Sequence, residues 1–163
     1  MPEVYVAAGS NVAPERHLVC ATYELRGEFP GARFSSWYRN RPAAGHGADF
    51  INLVAGFATE LPVHEVHSRL KAIESRCGRT REDPRTPPPL DLDLLLYGDL
   101  VCAQRQLTLP RPELLTLAYM LGPLAELAPQ LPHPTAQLTI AELWRRFDKT
   151  GHPLERVPTP AGG

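Results

Sequence analysis

The sequence predicts a single α+β domain, and three observations predict it. Short runs rich in apolar, β-branched and aromatic residues stand at 4–8, 33–38, 50–59 and 90–97. Apolar residues at helical spacing separate the first run from the second and the third from the fourth. The length of 163 residues is that of one ordinary domain, able to bury a core without disulfides or structural metal.

Val4-Tyr5-Val6-Ala7-Ala8 reads as a buried strand halted by the turn residues Gly9-Ser10-Asn11. Pro14 suits the first turn of a helix, and Leu18, Ala21, Thr22 and Leu25 share one face until Gly27 and Pro30 end the pattern. Residues 33–38 and 50–59 read as neighbouring strands joined by a loop from Pro42 to Gly47. Pro62 opens a second helix whose Val63, Val66, Leu70 and Ile73 form an apolar face, with Gly78 as its C-cap. Residues 90–97 form the fourth strand, closed by Gly98-Asp99, and residues 114–127 and 140–147 read as helices. The order strand, helix, strand, strand, helix, strand is the split pattern of a ferredoxin-like βαββαβ antiparallel sheet, here with additional C-terminal helices. Residues 1–152 are expected to make the domain, and the Pro/Gly-rich residues 153–163 a flexible tail.

With 17 basic against 18 acidic residues, no charge asymmetry points to nucleic acid or an anionic membrane, so any anion site is built locally. Met1-Pro2-Glu3-Val4 does not open a secretory signal, and no apolar run reaches membrane-spanning length, so a cytoplasmic location is expected. Cys20, Cys77 and Cys102 are odd in number, far apart and without C-x-x-C spacing, and are expected as reduced thiols.

Asp91 and Asp93 stand two apart on the fourth strand, so both carboxylates project from one face while Leu92 and Leu94 point to the other. Paired carboxylates repel unless a cation neutralises them, and hard oxygen donors on a rigid strand suit Mg²⁺ with phosphate oxygens and water. A solvated polar strand face is the plain alternative. Just upstream, Arg76, Arg79, Arg81 and Arg85 crowd together, and the guanidinium fork matches phosphate oxygens bidentately. A solvated cluster paired with Glu74, Glu82 and Asp83 is the alternative there. No segment carries the Gly-Lys signature of a P-loop.

Gly9-Ser10-Asn11, Tyr38-Arg39, Phe50-Ile51-Asn52, Glu74 with Gly78-Arg79-Thr80-Arg81, Leu90-Asp91-Leu92-Asp93, Tyr97-Gly98, Leu109-Pro110, Pro123-Leu124 and Leu127-Ala128-Pro129 follow one another in this order. This succession resembles the hydroxymethyldihydropterin pyrophosphokinase family over nearly the whole chain up to about residue 147.

The resemblance implies a monomeric enzyme of folate synthesis that moves the diphosphate of ATP to 6-hydroxymethyl-7,8-dihydropterin, releasing AMP. It implies two Mg²⁺ ions on Asp91 and Asp93, with Arg79 and Arg85 joining the aspartates in catalysis. Nucleotide contacts would fall on Glu74, Arg79, Arg81, Arg85, Leu92, Thr108 and Arg111. Pterin contacts would fall on Gly9, Ser10, Pro42, Ala43, Phe50, Asn52, Asp91 and Tyr119, with the two aromatic rings stacking the substrate and Asn52 hydrogen-bonding it.

The chain departs from the family pattern at three places. Pro87-Pro88-Pro89 precedes Leu90 where the family carries a Trp and an Arg, Arg111 replaces a His, and Leu117 replaces an Arg. A divergent paralogue that binds pterin or nucleotide with weak or no activity is therefore the alternative reading. An interaction domain with a merely polar D-x-D face is a third.

Overall fold

The computed structural model describes residues 1–42, 47–78 and 88–161. Strand β1 (Glu3–Ser10) lies at the centre of the main sheet, antiparallel to both β4 (Phe50–Ala58) and β5 (Asp91–Tyr97). Outside β4 runs β3 (Trp37–Asn40), and the two-residue β2 (Arg33–Phe34) also pairs with β4. Helices α1 (Pro14–Glu28) and α2 (Val63–Cys77) connect the strands, giving the expected ferredoxin-like α+β core.

The apolar alternation of each strand decides which layer covers which face. Val4, Val6, Ala8, Leu92 and Leu94 pack under Leu18, Leu25, Val66 and Leu70 of α1 and α2. Tyr5, Ala7, Val54, Leu95 and Leu96 pack under Leu121, Leu124 and Ile140 of α3 (Ala118–Leu127) and α4 (Ile140–Arg146). The β1–β5 register slips between Tyr5 and Val6, whose partners are Leu96 and Leu94. That bulge at Leu95 explains the run Leu94-Leu95-Leu96: Leu94 faces the α1 and α2 layer, while the extra residue lets Leu95 and Leu96 both face the α3 and α4 layer.

Four expectations are corrected. The strand expected over 33–38 is broken at Ser35, whose hydroxyl accepts the Val54 N–H at 2.9 Å in place of a main-chain partner. The helix expected over 114–127 is a 3₁₀ turn (Pro112–Leu115) followed by α3, separated by Leu117 in extended backbone at φ −116°. Residues 153–163 are not wholly a frayed tail, since Glu155–Val157 forms β8 and pairs with β3, with Arg39 and Glu155 3.5 Å apart. A hairpin of β6 (Cys102–Gln104) and β7 (Leu107–Leu109), absent from the sequence reading, lies beyond β5.

The fourth correction concerns the thiols. Cys20 and Cys77 form a disulfide between α1 and the end of α2, with Cα atoms 5.8 Å apart, while Cys102 is free. A separation of 57 residues hid this contact, which only the packing of the two helices creates. Ion pairs run alongside it: Arg76 reaches Glu24 at 2.9 Å and Glu28 at 3.3 Å, and Arg69 reaches Glu28 at 3.2 Å. No helix among the described residues is long and apolar enough to cross a membrane.

Closing a loop of this length restricts the unfolded chain, so breaking the disulfide is expected to lower stability by about 2–4 kcal/mol. Urea unfolding with and without reductant measures this in the parent, and Cys20→Ser should show the lower value under both conditions.

Candidate active site

Three strands build the floor of the first cavity. The register sets Asn52 of β4, Gly9 of β1 and Asp91 of β5 in one row across the sheet, and Val54, Ala7 and Asp93 in the next row on the same face. Glycine has no side chain and alanine only a methyl, so a depression of about 260 Å³ opens between the asparagine and the aspartates. Phe50 and Tyr119 also line it. A Cβ on Gly9 would come within 2.7 Å of Asn52 Oδ1, so the bare backbone is what lets the carboxamide lie there. Asn52 Nδ2 donates to Asn40 Oδ1, which orients the amide.

Tyr119 arrives on α3, and α3 is fixed to the sheet edge by Glu126. That carboxylate accepts from Ser36 N at 2.9 Å and Ser36 Oγ at 3.1 Å, and from the Tyr38 hydroxyl. Burial, then the bond to Glu126, pushes the Tyr38 phenol up to about 12, so it remains a donor. The Tyr119 phenol is also raised, first by burial and then by the charges of Asp93 and Asp91.

A second cavity, of about 530 Å³, opens along the outer edge of β5. Leu92, Asp93 and Leu94 line it from the strand, Thr108 from the hairpin, Arg111 from the following segment, and His67 and Lys71 from α2. Asp93 lines both cavities and Asp91 the first, while Leu92 and Leu94 belong to the opposite core layer. Asp91 and Asp93 thus share a face, as expected for a strand.

Their electrostatics follow from position. The Asp93 carboxyl is pushed from 3.8 up to about 6, first by burial and then by Asp91, while Arg111 and Lys71 pull the other way. Arg111 Nη1 stands 3.6 Å from Asp93 Oδ1, and its Nε 3.5 Å from Glu113. Glu74, raised chiefly by burial, accepts the Leu92 N–H at 2.6 Å and so pins the acidic strand to α2.

The structure brings together Gly9, Phe50, Asn52, Asp91, Asp93 and Tyr119 around the smaller cavity, and Leu92, Thr108 and Arg111 around the larger. Ser10 is corrected: it is 2 % exposed, lines neither cavity and donates to Val12 O at 3.1 Å, because it points to the face opposite Gly9. Arg76 is corrected too, since its ion pairs with α1 turn it from the acidic strand. Pro42 lines neither of these two but a separate cavity, of about 470 Å³, next to Tyr119. Ala43, Arg79, Arg81 and Arg85 lie outside the described residues.

His67 and Lys71 were missed, although they repeat at helical spacing with Glu74 on the polar side of α2. Asn40 was missed because its role depends on its cross-strand position opposite Phe50. Among the described residues no group of three or more His, Cys, Asp or Glu is placed to hold a metal ion.

Residues 5–129 match the family described as 7,8-dihydro-6-hydroxymethylpterin-pyrophosphokinase (HPPK). The chain belongs to this family. HPPK proteins are ATP-dependent diphosphotransferases. The chain is 36% identical over 161 residues to the 2-amino-4-hydroxy-6-hydroxymethyldihydropteridine pyrophosphokinase of Pseudomonas aeruginosa, covering 95% of this chain and 96% of that one. It is 39% identical over 118 residues to the pyrophosphokinase of the same description from Synechocystis, covering 72% of this chain but 60% of the relative. Among solved structures, wild-type Plasmodium falciparum HPPK-DHPS superposes with a TM-score of 0.73 at 12% identity, over 89% of this chain and 44% of that one. At that identity the likeness concerns the fold.

Because folding raises the Asp93 pKa above that of the unfolded chain, the carboxyl contributes stability below about 4 that is lost as pH rises through about 6. Mg²⁺ is expected to raise the melting temperature more at pH 8 than at pH 5, and Asp93→Asn to flatten both effects in the same thermal scans. Gly9→Ala is expected to displace the Asn52 carboxamide and weaken pterin binding by about tenfold or more, the loss of one to two hydrogen bonds. Calorimetry with a pterin checks this, and circular dichroism should find the fold kept.

Proposed function

We propose that the chain transfers the diphosphate of ATP to the hydroxymethyl group of 6-hydroxymethyl-7,8-dihydropterin, giving AMP and the pterin diphosphate of folate synthesis. One observation carries this reading: a ring-sized cavity and a larger cation-lined one meet at Asp93. A flat heteroaromatic ring gains from Phe50 and Tyr119, and its donor–acceptor edge from Asn52. The phosphate tail belongs in the larger cavity with Arg111 and Thr108, while Leu92 and Glu74 keep its floor in place. Arg79, Arg81 and Arg85 complete the phosphate contacts and Pro42 and Ala43 the pterin side, roles supported by the family pattern.

The donor set fits Mg²⁺. Asp91 and Asp93 are two hard oxygen donors on one strand face, and the repulsion that the exposed Asp91 exerts on the half-buried Asp93 is what a divalent ion would relieve. Two ions bound there, with ATP supplying further oxygens, would stabilise charge on the transferring phosphates. The residues of the chain hold the alcohol oxygen near the β-phosphorus. In the reaction that O–P bond forms, the bond between the β-phosphorus and the bridging oxygen to the α-phosphorus breaks, and the hydroxyl proton is released. Packing of the pterin between two rings and exclusion of water favour the alcohol over hydrolysis. A monomer acting in the cytoplasm, without nucleic acid or membrane as partner, belongs to the same proposal, supported by the balance of 17 basic and 18 acidic residues.

AMP release from ATP, with and without hydroxymethyl-dihydropterin, tests the reading. Asp93→Ala is expected to lower turnover by about a thousandfold or more while the fold remains intact. Pterin binding without AMP release in the unaltered chain would instead establish the binding-only paralogue.

A further inference from the structure

The polar side of α2 holds two residues that no motif identified. His67 and Lys71 are four residues apart and Glu74 follows three later, so the three side chains align along one side of the helix. His67 and Lys71 both line the larger cavity, facing Thr108 across it, with Asp93 and Arg111 on its wall.

Lys71 is held rather than free. Its Nζ lies 3.2 Å from Glu74 Oε1, and Glu74 is 14% exposed and bonded to the Leu92 N–H through its other oxygen at 2.6 Å. The ammonium is thereby kept over the acidic strand, at the cavity rather than in solvent, while its side chain stays 47% exposed and able to meet an incoming anion. Arg111, the other cation of this cavity, is already engaged by Asp93 and Glu113. A surface pair three residues apart is by itself weak, so the low exposure of its carboxylate partner at the strand is the informative feature.

We propose that Lys71 binds the phosphate tail of the nucleotide in the larger cavity, and that His67, about 6 Å further along α2 from the aspartates, contacts the nucleoside end. The proposal rests on reading that cavity as the nucleotide site. Glu74 then has two tasks: it fixes the strand that carries Asp91 and Asp93, and it aims the lysine. A lysine here supplies a positive contact in a chain whose Leu117 carries no charge where the family has an arginine.

The test uses the full chain with Mg²⁺ and varies the nucleotide. Lys71→Gln is expected to raise the KM for ATP and weaken Mg-ATP binding by about tenfold, the effect of one lost charge-assisted contact, with AMP affected less. Pterin affinity should stay within about twofold, and Lys71→Arg should restore most of the loss in Mg-ATP binding. His67→Ala is expected to weaken AMP and ATP by a common factor of about three to ten, as loss of a nucleoside contact would. Unchanged ATP binding in Lys71→Gln, or an equal loss for AMP and ATP, overturns the lysine assignment, and unchanged AMP binding in His67→Ala overturns the histidine assignment. If the parent chain binds Mg-ATP but releases no AMP, diphosphate transfer fails while the binding ratios still decide the role of Lys71. If it binds no Mg-ATP, both readings fall.

Discussion

The site depends on one constraint: β1 must run between β4 and β5 with small residues on the face turned toward α3. Antiparallel pairing in this register brings Asn52, Gly9 and Asp91 into one row from segments distant in sequence. Any larger residue at Gly9 would fill the space that separates the amide from the carboxylates. The depression is therefore a property of three strands at once, and the helices on both faces of the sheet serve to keep those strands aligned.

The electrostatics build on that alignment. Asp93 is half-buried beside a second carboxylate, with Arg111 and Lys71 as partial compensation. A carboxyl held up near 6 is a group whose charge is incompletely balanced by the protein alone, and a divalent ion with a phosphate tail would complete the balance. On the proposed reading, a cation would meet this unbalanced charge already in place in the folded chain.

Much of this was legible in the sequence because the signals were local. The alternation of Leu90-Asp91-Leu92-Asp93 set both carboxylates on one face, and helical spacing placed α1 and α2 to within a residue or so. What escaped depended on tertiary contact. The Cys20–Cys77 bond needs two packed helices, Asn40 gains its role from cross-strand register, and Ser10 was assigned to the site by the family resemblance, which does not reveal which way its hydroxyl faces here. Lys71 and His67 follow the same helical period on the polar face of α2, where spacing alone does not distinguish a solvated face from a cavity wall.

The short strand Glu155–Val157 lies within a Pro/Gly-rich stretch that by composition belongs to irregular chain, yet it occupies the outer rim of the sheet beside β3. Without it, the free main-chain groups of Trp37, Tyr38 and Arg39 would face outward, a template for strands of neighbouring molecules. Glu155–Val157 therefore caps that longer template with a three-residue outer strand, and a fragment stopping before Glu155 would lay β3 open even though the cavities at Asp93 were untouched.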